Sequence, residues 1–290
     1  MTSVRLSLVL PTVDRPEAVY NLLRHLEHQT RAPDEIVVVD QSASEDARLA
    51  GYVSGRPHLK LLRLAERGLP NARNVGVRAA AGDVILFLDD DSIPDPDLVR
   101  FHAEAYADAR VHGVGGRVLG GYDSSGAGTG GFRPGDGVVT RNFGAQERCD
   151  VEHLPGGNMS FRREVFRAVG GFDRAYGGSS IGEETDFCLR ARRAGFRLVF
   201  EPRASLEHLH LPTGGCRIPR FERWLYWQAH NSMLFVLRHA RPTALPIFVA
   251  RRVARLGLFV LERGAPDLMA VGLKGLLRGV ASHLATRPGA

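Results

Sequence analysis

The sequence predicts an α/β protein: a doubly wound, mostly parallel sheet flanked by helices, with a C-terminal helical extension. Two observations carry this prediction. Over the first two thirds of the 290 residues, short apolar runs typical of buried strands alternate with segments of helical periodicity, and such alternation is typical of βαβ units. From about Phe221 only helical spacing remains. We therefore predict two regions, residues 1–215 and 216–290.

The N-terminal elements follow from the apolar runs and the residues that bound them. Residues 5–11 predict a buried strand that Pro11 ends, and residues 15–29 predict a helix with Pro16 in its first turn. The next predicted elements are strands over 34–42, 59–64 and 83–91, and a helix over 70–82.

The later elements are less regular. Asp95 followed by Pro96 predicts a helix that starts there, with Asp95 as its N-cap, and runs towards Arg110. Residues 113–137 are rich in glycine and lack apolar periodicity, which predicts a mobile loop or a loosely ordered insert. The segments that follow predict a helix from about residue 182 to Gly195 and strands near 197–202 and 204–212.

The net charge of +6 belongs to the C-terminal region. From Arg217 to the end there are 12 Lys+Arg and 3 Asp+Glu, so the remainder is slightly acidic. A basic, apolar tail does not indicate a nucleic-acid binder. It suggests an anionic membrane surface, with residues 245–261 as an interfacial helix whose arginines meet lipid phosphates. Helices packed on the first region are an equally good interpretation.

Three widely spaced cysteines form no C-x-x-C pair, so we expect free thiols in a reducing compartment. The first apolar run ends at Pro11 and is too short for a signal peptide. No run has the length of a transmembrane helix. A cytoplasmic location is the resulting expectation, with peripheral attachment to the membrane through the tail.

Three consecutive carboxylates, Asp89, Asp90 and Asp91, follow the buried apolar run Val84–Leu88. Adjacent like charges are costly to desolvate unless a cation compensates them. They either form a solvated turn or hold a hard cation such as Mg²⁺ or Mn²⁺, which takes one or two carboxylates together with substrate phosphate oxygens.

Five segments stand in an order and spacing that resemble the family 2 glycosyltransferases, over roughly residues 4–212. They are "VLPTVDRP", "IVVVDQSASED", "LPNARNVGVRAAAGDVILFLDDD", "LPGGNMSFRREVFRAVGGFD" and "GEETDFCLRARRAG". The resemblance implies a GT-A fold and an inverting enzyme that uses a nucleotide-diphosphate sugar and a divalent metal. The expected acceptor is a hydroxyl on a glycan, a lipid-linked glycan or a small molecule.

The resemblance also implies roles for individual residues at the donor site. Asp91 would be the main metal ligand, with Asp89 nearer the ribose and also available to the metal. His208 would complete the metal site, and His210 is the alternative. The other positions that match the donor site are Pro11, Thr12, Asp14, Asp40, Arg73, Asp90, Gly157, Asn158 and Glu183.

Several of these positions also have ordinary structural interpretations. Thr12 or Asp14 would serve as a helix cap, Asp40 would simply end a strand, and Arg73 would pair on a helix surface. Gly157, with Gly156 before it, would permit close approach to the donor sugar or form an ordinary turn.

The segment "GEETD" supplies the candidate catalytic base. The family usually has Glu-Asp here, and the second acid is the base; this sequence has Glu184 at that position, one methylene longer. Glu183 would orient the acceptor or the sugar, and Asp186 is the second candidate base. A base is required because an alcohol is a poor nucleophile until its proton is removed. Acids favoured at a helix N-terminus are the structural alternative.

Two other function classes remain open at this point. One is a non-catalytic nucleotide-sugar-binding or membrane scaffold protein, which the glutamate at the base position allows. The other is a sugar nucleotidyltransferase, which would also use a parallel sheet and Mg²⁺. The absence of glycine after the first strand counts against it, because such enzymes resemble one another in a Gly-rich phosphate loop there.

Overall fold

The computed structural model describes residues 4–120 and 128–285. The strands are β1 (Leu6–Thr12), β2 (Glu35–Asp40), β3 (Leu59–Arg63), β4 (Val84–Leu88), β5 (Ser92–Pro94), β6 (Val111–Leu119), β7 (Gly131–Arg133), β8 (Val138–Thr140), β9 (Cys149–Val151), β10 (Asn158–Arg162) and β11 (Arg197–His208). The helices are α1 (Pro16–Leu26), α2 (Ala47–Val53), α3 (Leu69–Ala79), α4 (Leu98–Ala105), α5 (Arg163–Val169), α6 (Glu183–Arg193), α7 (Phe221–His239), α8 (Leu245–Arg263) and α9 (Asp267–Ala285), with a short 3-10 turn at Pro242–Ala244.

One sheet organises the fold. Its strand order is β3-β2-β1-β4-β10-β6-β11-β5, and β9 pairs with β11. Strands β3, β2, β1 and β4 run parallel, as do β6 and β11, while β10 lies antiparallel between β4 and β6. The prediction of a mostly parallel sheet flanked by helices is confirmed.

Both faces of the sheet are covered because side chains alternate along each strand. Leu8 and Leu10 of β1 pack with α1 and α4 on one face. Val9 of β1 and Phe87 of β4 pack with α3, α5 and α6 on the other. Strands buried on both faces consist of continuous apolar residues, and this is why the N-terminal strands were recognisable in the sequence.

The predicted start of the helix at Asp95 is wrong. Residues 92–94, just before it, form β5, because they pair antiparallel with β11, where His208 lies opposite Ser92. The helix α4 begins only after Asp97, which occupies the N-cap position. Asp95 still accepts a hydrogen bond from the backbone N–H of Asp97 at 3.0 Å, in the turn that precedes α4.

The prediction of a mobile or loosely ordered segment over 113–137 is wrong for its first part, which belongs to β6. Glycine is required there for packing: a Cβ on Gly116 would lie 2.1 Å from the Ala204 carbonyl oxygen of β11. Strand β7 lies later in this stretch and forms a separate hairpin with β8, which follows it directly. Residues 121–127 lie outside the described residues. The two strands predicted near 197–212 are one strand, β11, with an irregularity between Glu201 and Ser205.

The C-terminal helices pack onto the sheet region and onto one another. Leu234, Phe235 and Val236 of α7 join a core cluster with Tyr176 and Leu189. Helix α9 lies along α7, whereas α8 buries only Leu256. Within residues 4–120 and 128–285, no helix combines the length and the apolar character needed to cross a bilayer.

Candidate functional site

The carboxyl ends of β1, β2 and β4 meet at one edge of the sheet, as expected for neighbouring parallel strands. Thr12 lies opposite Asp40 in the β1–β2 register, and Asp89 follows the last residue of β4. Ligands of open α/β sheets bind at this edge. The predicted site residues at these three strand ends are therefore brought together by the topology itself.

The three consecutive aspartates occupy different environments. Asp89 is about one third exposed, with 35% of its side chain accessible, whereas Asp90 and Asp91 are buried. Arg15 provides the compensating cation, with Nη1 at 2.8 Å from Asp90 Oδ1 and 3.0 Å from Asp91 Oδ2. The sequence analysis missed Arg15 because its acidic partners lie far away along the chain.

Asp90 is buried and hydrogen-bonded within the protein, and its predicted contact with the donor stays a prediction. Its carboxylate accepts hydrogen bonds from Thr12 Oγ1 at 2.7 Å and Arg15 Nη1 at 2.8 Å, and it is only 4% exposed. Burial raises the pKa of Asp90 to about 6, although both hydrogen bonds oppose this rise. Arg15 also donates to the carbonyls of Leu211 and Thr213, so it fastens the loop after β11 over the aspartates.

Asp89, Asp91 and His208 form a cluster suited to a metal ion. Each offers one ligand atom, and these atoms lie within 4.8 Å of one another. His208 Nε2 is 2.9 Å from Asp91 Oδ1 and 4.0 Å from Asp89 Oδ2. The other candidate histidine, His210, has a left-handed backbone (φ 51°) and is not a member of the cluster found among the described residues. The geometry favours His208 of the two.

Electrostatic contacts keep the acidic ligand charged. Although burial raises the pKa of Asp91, the hydrogen bond from His208 and the charge of Arg15 hold it at about 2. Burial lowers the pKa of His208, but the hydrogen bond to Asp91 and the charge of Asp89 outweigh it and raise the pKa.

Arg73 connects the aspartates to the helix that carries the candidate base. Its guanidinium is buried, forms a close ion pair with Glu183, donates to the Gly156 carbonyl at 2.8 Å and lies 3.6 Å from Asp89 Oδ1. Glu183 is fully buried. Its carboxylate pairs with Arg73, and the predicted role of Glu183 in orienting the acceptor or the sugar stays a prediction.

Glu184 is the partly exposed acid at the start of α6. It lies beside the Gly156 turn: a Cβ on Gly156 would be 3.4 Å from Glu184 Cγ and 3.4 Å from Arg73 Nη2. Glu184 therefore lies beside Arg73, which in turn contacts Asp89. An acid in this position is accessible to a hydroxyl bound over the turn.

Asp186, the second candidate base, is fully buried in an ion-pair network between α6 and α7. It accepts from His239 Nε2 at 2.8 Å and lies 2.9 Å from Arg190 Nε and 3.3 Å from Arg238 Nη1. Burial raises the pKa of Asp186, but the bond from His239 and the charge of Arg190 outweigh it and hold the pKa well below its usual range. A buried, paired carboxylate is a poor base, so the structure favours Glu184.

Asp186→Asn is expected to destabilise the protein by about 3–5 kcal/mol, because the buried His239 and the partly buried Arg190 lose the carboxylate that they pair with, whereas Arg238 keeps its ion pair with Asp173. The free energy of unfolding, measured by denaturant titration, tests this. Glu184→Gln serves as the control, since Glu184 has no such network. A stable Asp186→Asn protein that has lost turnover would instead identify Asp186 as the base.

The absence of a side chain at Gly157 allows the Asp89 carboxylate to take its present position. A Cβ at this position would lie 2.5 Å from Asp89 Oδ2. Asp89 is short and partly exposed, so it would rotate away rather than unfold the chain, and one candidate metal ligand would be displaced.

We expect Gly157→Ala to weaken Mn²⁺ binding about 10- to 100-fold, as other changes that misplace a metal ligand do, with little change in melting temperature. Calorimetric titration with Mn²⁺ measures this. Gly156→Ala is the matched control, because its Cβ meets no atom closer than 3.4 Å. Equal affinities in the two variants would contradict the role given to Gly157.

A cleft of about 240 Å³ opens beside β1 and β2, next to the aspartates. Thr12, Asp14 and Asp40 line it, together with Ser42, whose hydroxyl donates to Asp40. Pro11 is buried within β1 and does not line this cleft. Three of the predicted donor-site residues therefore share one cavity.

Two arginines that the sequence analysis missed stand beside this cleft. Arg63, the last residue of β3, forms a close ion pair with Asp40. Arg67 pairs with Asp14 at 2.9 Å and is half-exposed. No local sequence pattern distinguishes these arginines from the other surface arginines.

The side chain of Asn158 is enclosed by neighbouring strands, and its predicted contact with the donor sugar stays a prediction. Its side chain is fully buried: Nδ2 donates to the carbonyls of Arg117 and Ala204, and Oδ1 lies 2.8 Å from His102 Nε2. These bonds tie β10 to β6 and β11. Asn158 therefore has no free polar atom for a ligand.

Comparisons with known proteins fit this architecture. Residues 7–170 match the sequence model described as glycosyl transferase family 2. The chain is 28% identical over 220 residues to the glucosyl-dolichyl phosphate glucuronosyltransferase of Haloferax volcanii, covering 71% of this chain and 69% of that protein. It is 27% identical over 248 residues to the O-antigen biosynthesis protein RfbC of Myxococcus xanthus, covering 79% of this chain but 19% of that protein.

A solved structure shares the fold. The mannosyltransferase PcManGT from Pyrobaculum calidifontis, determined in complex with GDP-Man and Mn²⁺, superimposes with a TM-score of 0.58 at 18% identity and covers 99% of this chain and 89% of that one. The predicted GT-A fold is confirmed. Because the family model matches more than half of the sequence, the chain belongs to glycosyl transferase family 2 and is a glycosyltransferase.

Proposed function

We propose that the protein is an inverting, metal-assisted glycosyltransferase that moves a sugar from a nucleotide-diphosphate sugar to a hydroxyl acceptor. One observation carries the proposal. The cluster Asp89, Asp91 and His208 is joined through Arg73 to the start of α6, where Glu184 is the accessible acid. This arrangement supports a cation site and a base that would lie next to each other at the ligand-binding edge of the sheet.

The donor set suits Mn²⁺ or Mg²⁺. Two carboxylates and one imidazole are ligands that Mn²⁺ accepts, and carboxylates alone suit Mg²⁺. When bound, the cation would offset the negative charge that develops on the leaving nucleotide diphosphate. Arg15 and Arg73 keep the aspartates in place from the protein side.

The nucleoside of the donor would occupy the cleft of Thr12, Asp14 and Asp40. The cleft lies beside the aspartates, so a nucleoside there would direct its diphosphate towards the cation site. Carboxylates and hydroxyls at its walls are suited to the hydroxyl and amino groups of a nucleoside. PcManGT, which has the same fold, was determined with GDP-Man and Mn²⁺.

Glu184 would accept the proton of the acceptor hydroxyl while that oxygen attacks the anomeric carbon. The bond from the anomeric carbon to the diphosphate oxygen breaks in the same step, and the nucleotide leaves with its electron pair. A single displacement of this kind inverts the anomeric centre, and no glycosyl-enzyme intermediate is formed. Arg73 and Glu183 act as positioning residues, since both are buried beneath the turn.

The relatives suggest the class of acceptor. One is named for a glucosyl-dolichyl phosphate and the other for O-antigen biosynthesis. We propose a hydroxyl on a glycan or a lipid-linked glycan. Residues 1–215 would form the catalytic domain, and residues 216–290 a helical extension near an anionic membrane surface. The exposed Leu258 and Leu261 of α8, beside its arginines, support this role of the extension.

A donor panel tests the proposal. We expect one of a set of UDP-, GDP- and dTDP-sugars to bind in the presence of Mn²⁺ or Mg²⁺, and chelation of the metal to abolish binding. Calorimetry would measure affinity, and release of the nucleoside diphosphate would measure turnover. NMR of the product with a suitable acceptor would show the anomeric configuration. Binding without turnover on any acceptor would favour a non-catalytic nucleotide-sugar-binding protein instead.

A further inference from the structure

The three C-terminal helices line a cavity of about 200 Å³ that shares no residue with the candidate site. It is larger than the roughly 150 Å³ that suffices for a benzene ring. Nine side chains from α7, α8 and α9 line it: Trp224, Leu225, Gln228, Ala229, Arg252, Arg255, Leu256, Phe259 and Leu276. A cavity of this size accommodates part of an organic ligand.

The wall of the cavity is mainly apolar. Leu225, Leu256 and Leu276, one from each helix, are at most 5% exposed. Trp224 and Phe259 add two aromatic rings and are partly buried against this wall. Such a lining favours a hydrocarbon chain over a polar metabolite, because burial of apolar surface is the main source of affinity.

The cavity also carries two cations of α8. Arg252 is half-buried and Arg255 is exposed, three residues apart on the same helix face. Among residues 4–120 and 128–285, neither guanidinium forms an ion pair with a carboxylate. Arg252 Nη2 donates to the neutral Ser232 hydroxyl at 2.9 Å, and the guanidinium groups of Arg252 and Arg255 lie over the rings of Phe248 and Phe259. Burial and the charge of Arg255 lower the pKa of Arg252. An anion between the two arginines would compensate both.

Gln228 adds a third feature. Its Oε1 is buried in the lining and has no hydrogen-bond donor among the described residues. A buried acceptor without a donor is costly, and a ligand hydroxyl would satisfy it. The cavity thus offers an apolar interior, two cations and one acceptor.

The surroundings identify the source of such a ligand. Helix α8 buries only Leu256 of its 19 residues, and its outer face exposes Ile247, Leu258 and Leu261, the last at 80%. Exposed leucines beside arginines are typical of a helix that lies in a membrane interface. The ligand that combines an apolar chain, a negative headgroup and a hydroxyl in that setting is an anionic glycerolipid.

We propose that the cavity between α7, α8 and α9 binds one anionic membrane lipid, with its chain among the three leucines and its phosphate on Arg252 and Arg255. This inference goes beyond the proposed transferase activity and does not depend on it. Arginine is suited to such a contact because its guanidinium matches a phosphate group in geometry and remains charged.

Tryptophan fluorescence tests the proposal on the full chain. The sequence has two tryptophans, and Trp224 lines the cavity, so a monoacylglycerol phosphate with a brominated chain should quench it saturably below the micelle concentration. Trp224→Phe should remove most of the quenching. We expect the corresponding phosphocholine and uncharged monoacylglycerols to bind at least tenfold more weakly, and millimolar inorganic phosphate not to displace the probe.

A variant pair assigns the headgroup contact. Arg252→Gln with Arg255→Gln should weaken the phosphate probe at least tenfold, whereas Arg251→Gln, an exposed arginine outside the lining, should have no effect. Equal binding of the three headgroups would overturn the proposal in favour of an apolar cavity, and displacement by inorganic phosphate would overturn it in favour of a phosphate site. Equal loss in Arg251→Gln would indicate surface charge alone. If the double variant fails to fold, the comparison of the phosphate, phosphocholine and uncharged probes on the unaltered protein still tests the proposal.

Nucleotide-sugar binding, measured in the same preparations, distinguishes a failure of the lipid proposal from a failure of the proposed function. Lipid binding without donor binding would leave the cavity assignment standing and overturn the transferase site. Donor binding without lipid binding would do the reverse.

Discussion

Glu184→Gln is expected to lower kcat by about 10²- to 10⁴-fold, the range that a general base contributes, while donor affinity stays within about twofold. Glutamine keeps the size of the side chain but cannot accept the acceptor proton. Glu184 lies at the start of α6 beside the Gly156 turn and is partly exposed, so its replacement breaks no described ion pair. Steady-state kinetics with a saturating donor would measure the effect.

The control for this experiment is Glu164→Gln on α5, whose carboxylate is 56% exposed. It should leave kcat unchanged. An undiminished kcat in Glu184→Gln would remove Glu184 as the base. If turnover were lost in Asp186→Asn at full stability, the proton would have to reach a carboxylate that lies 0% exposed in this structure, which would require α6 and α7 to separate during catalysis.

Asp91→Asn is expected to lower kcat/KM on the order of a thousandfold, since a bound cation supplies several kcal/mol of charge stabilisation and each 1.36 kcal/mol is a factor of about ten. The amide is neutral and binds a hard cation poorly. Asp91 is central to the cluster, 2.9 Å from His208 and 3.0 Å from Arg15. Titration with Mn²⁺ should show loss of metal affinity together with loss of donor affinity.

Asp95→Asn is the matched control, a nearby aspartate whose described contacts are to α4 and β11 rather than to the cluster. It should bind Mn²⁺ normally. A second variant, His208→Asn, should weaken Mn²⁺ more than Mg²⁺, because imidazole is a ligand preferred by transition metals. Unchanged metal affinity in Asp91→Asn would contradict the assignment of the site.

The parts of the fold that could be predicted are those where one sequence pattern dominates. Continuous apolar runs identified β1, β2 and β4, because strands buried on both faces contain little else. The failures occurred where tertiary contacts decided the outcome. Residues 92–94 became β5 because β11 offered a partner strand, and the glycines of β6 serve close packing against Ala204 rather than mobility.

The same distinction holds for the candidate site. Asp89, Asp91 and His208 come together as the family resemblance implied, and their function remains a prediction. Burial could not be predicted, because it depends on neighbours far away in the chain. Glu183 and Asn158 are polar residues in matching motifs, yet both are fully enclosed. Arg15 was missed because Asp90, its nearest acidic partner in the sequence, is 75 positions away along the chain.

The network around Asp186 has a consequence for recombination between relatives. The sequence predicts residues 216–290 as a separate region, so a chimaera designed to change the acceptor would have its junction near residue 216. That cut would separate Asp186 from His239 and Arg238, which belong to α7. The relative that contributes the C-terminal part would then need a histidine and an arginine at the same two positions. A junction after His239 keeps the inherited ion pairs intact and exchanges only α8 and α9, the helices that carry the exposed leucines.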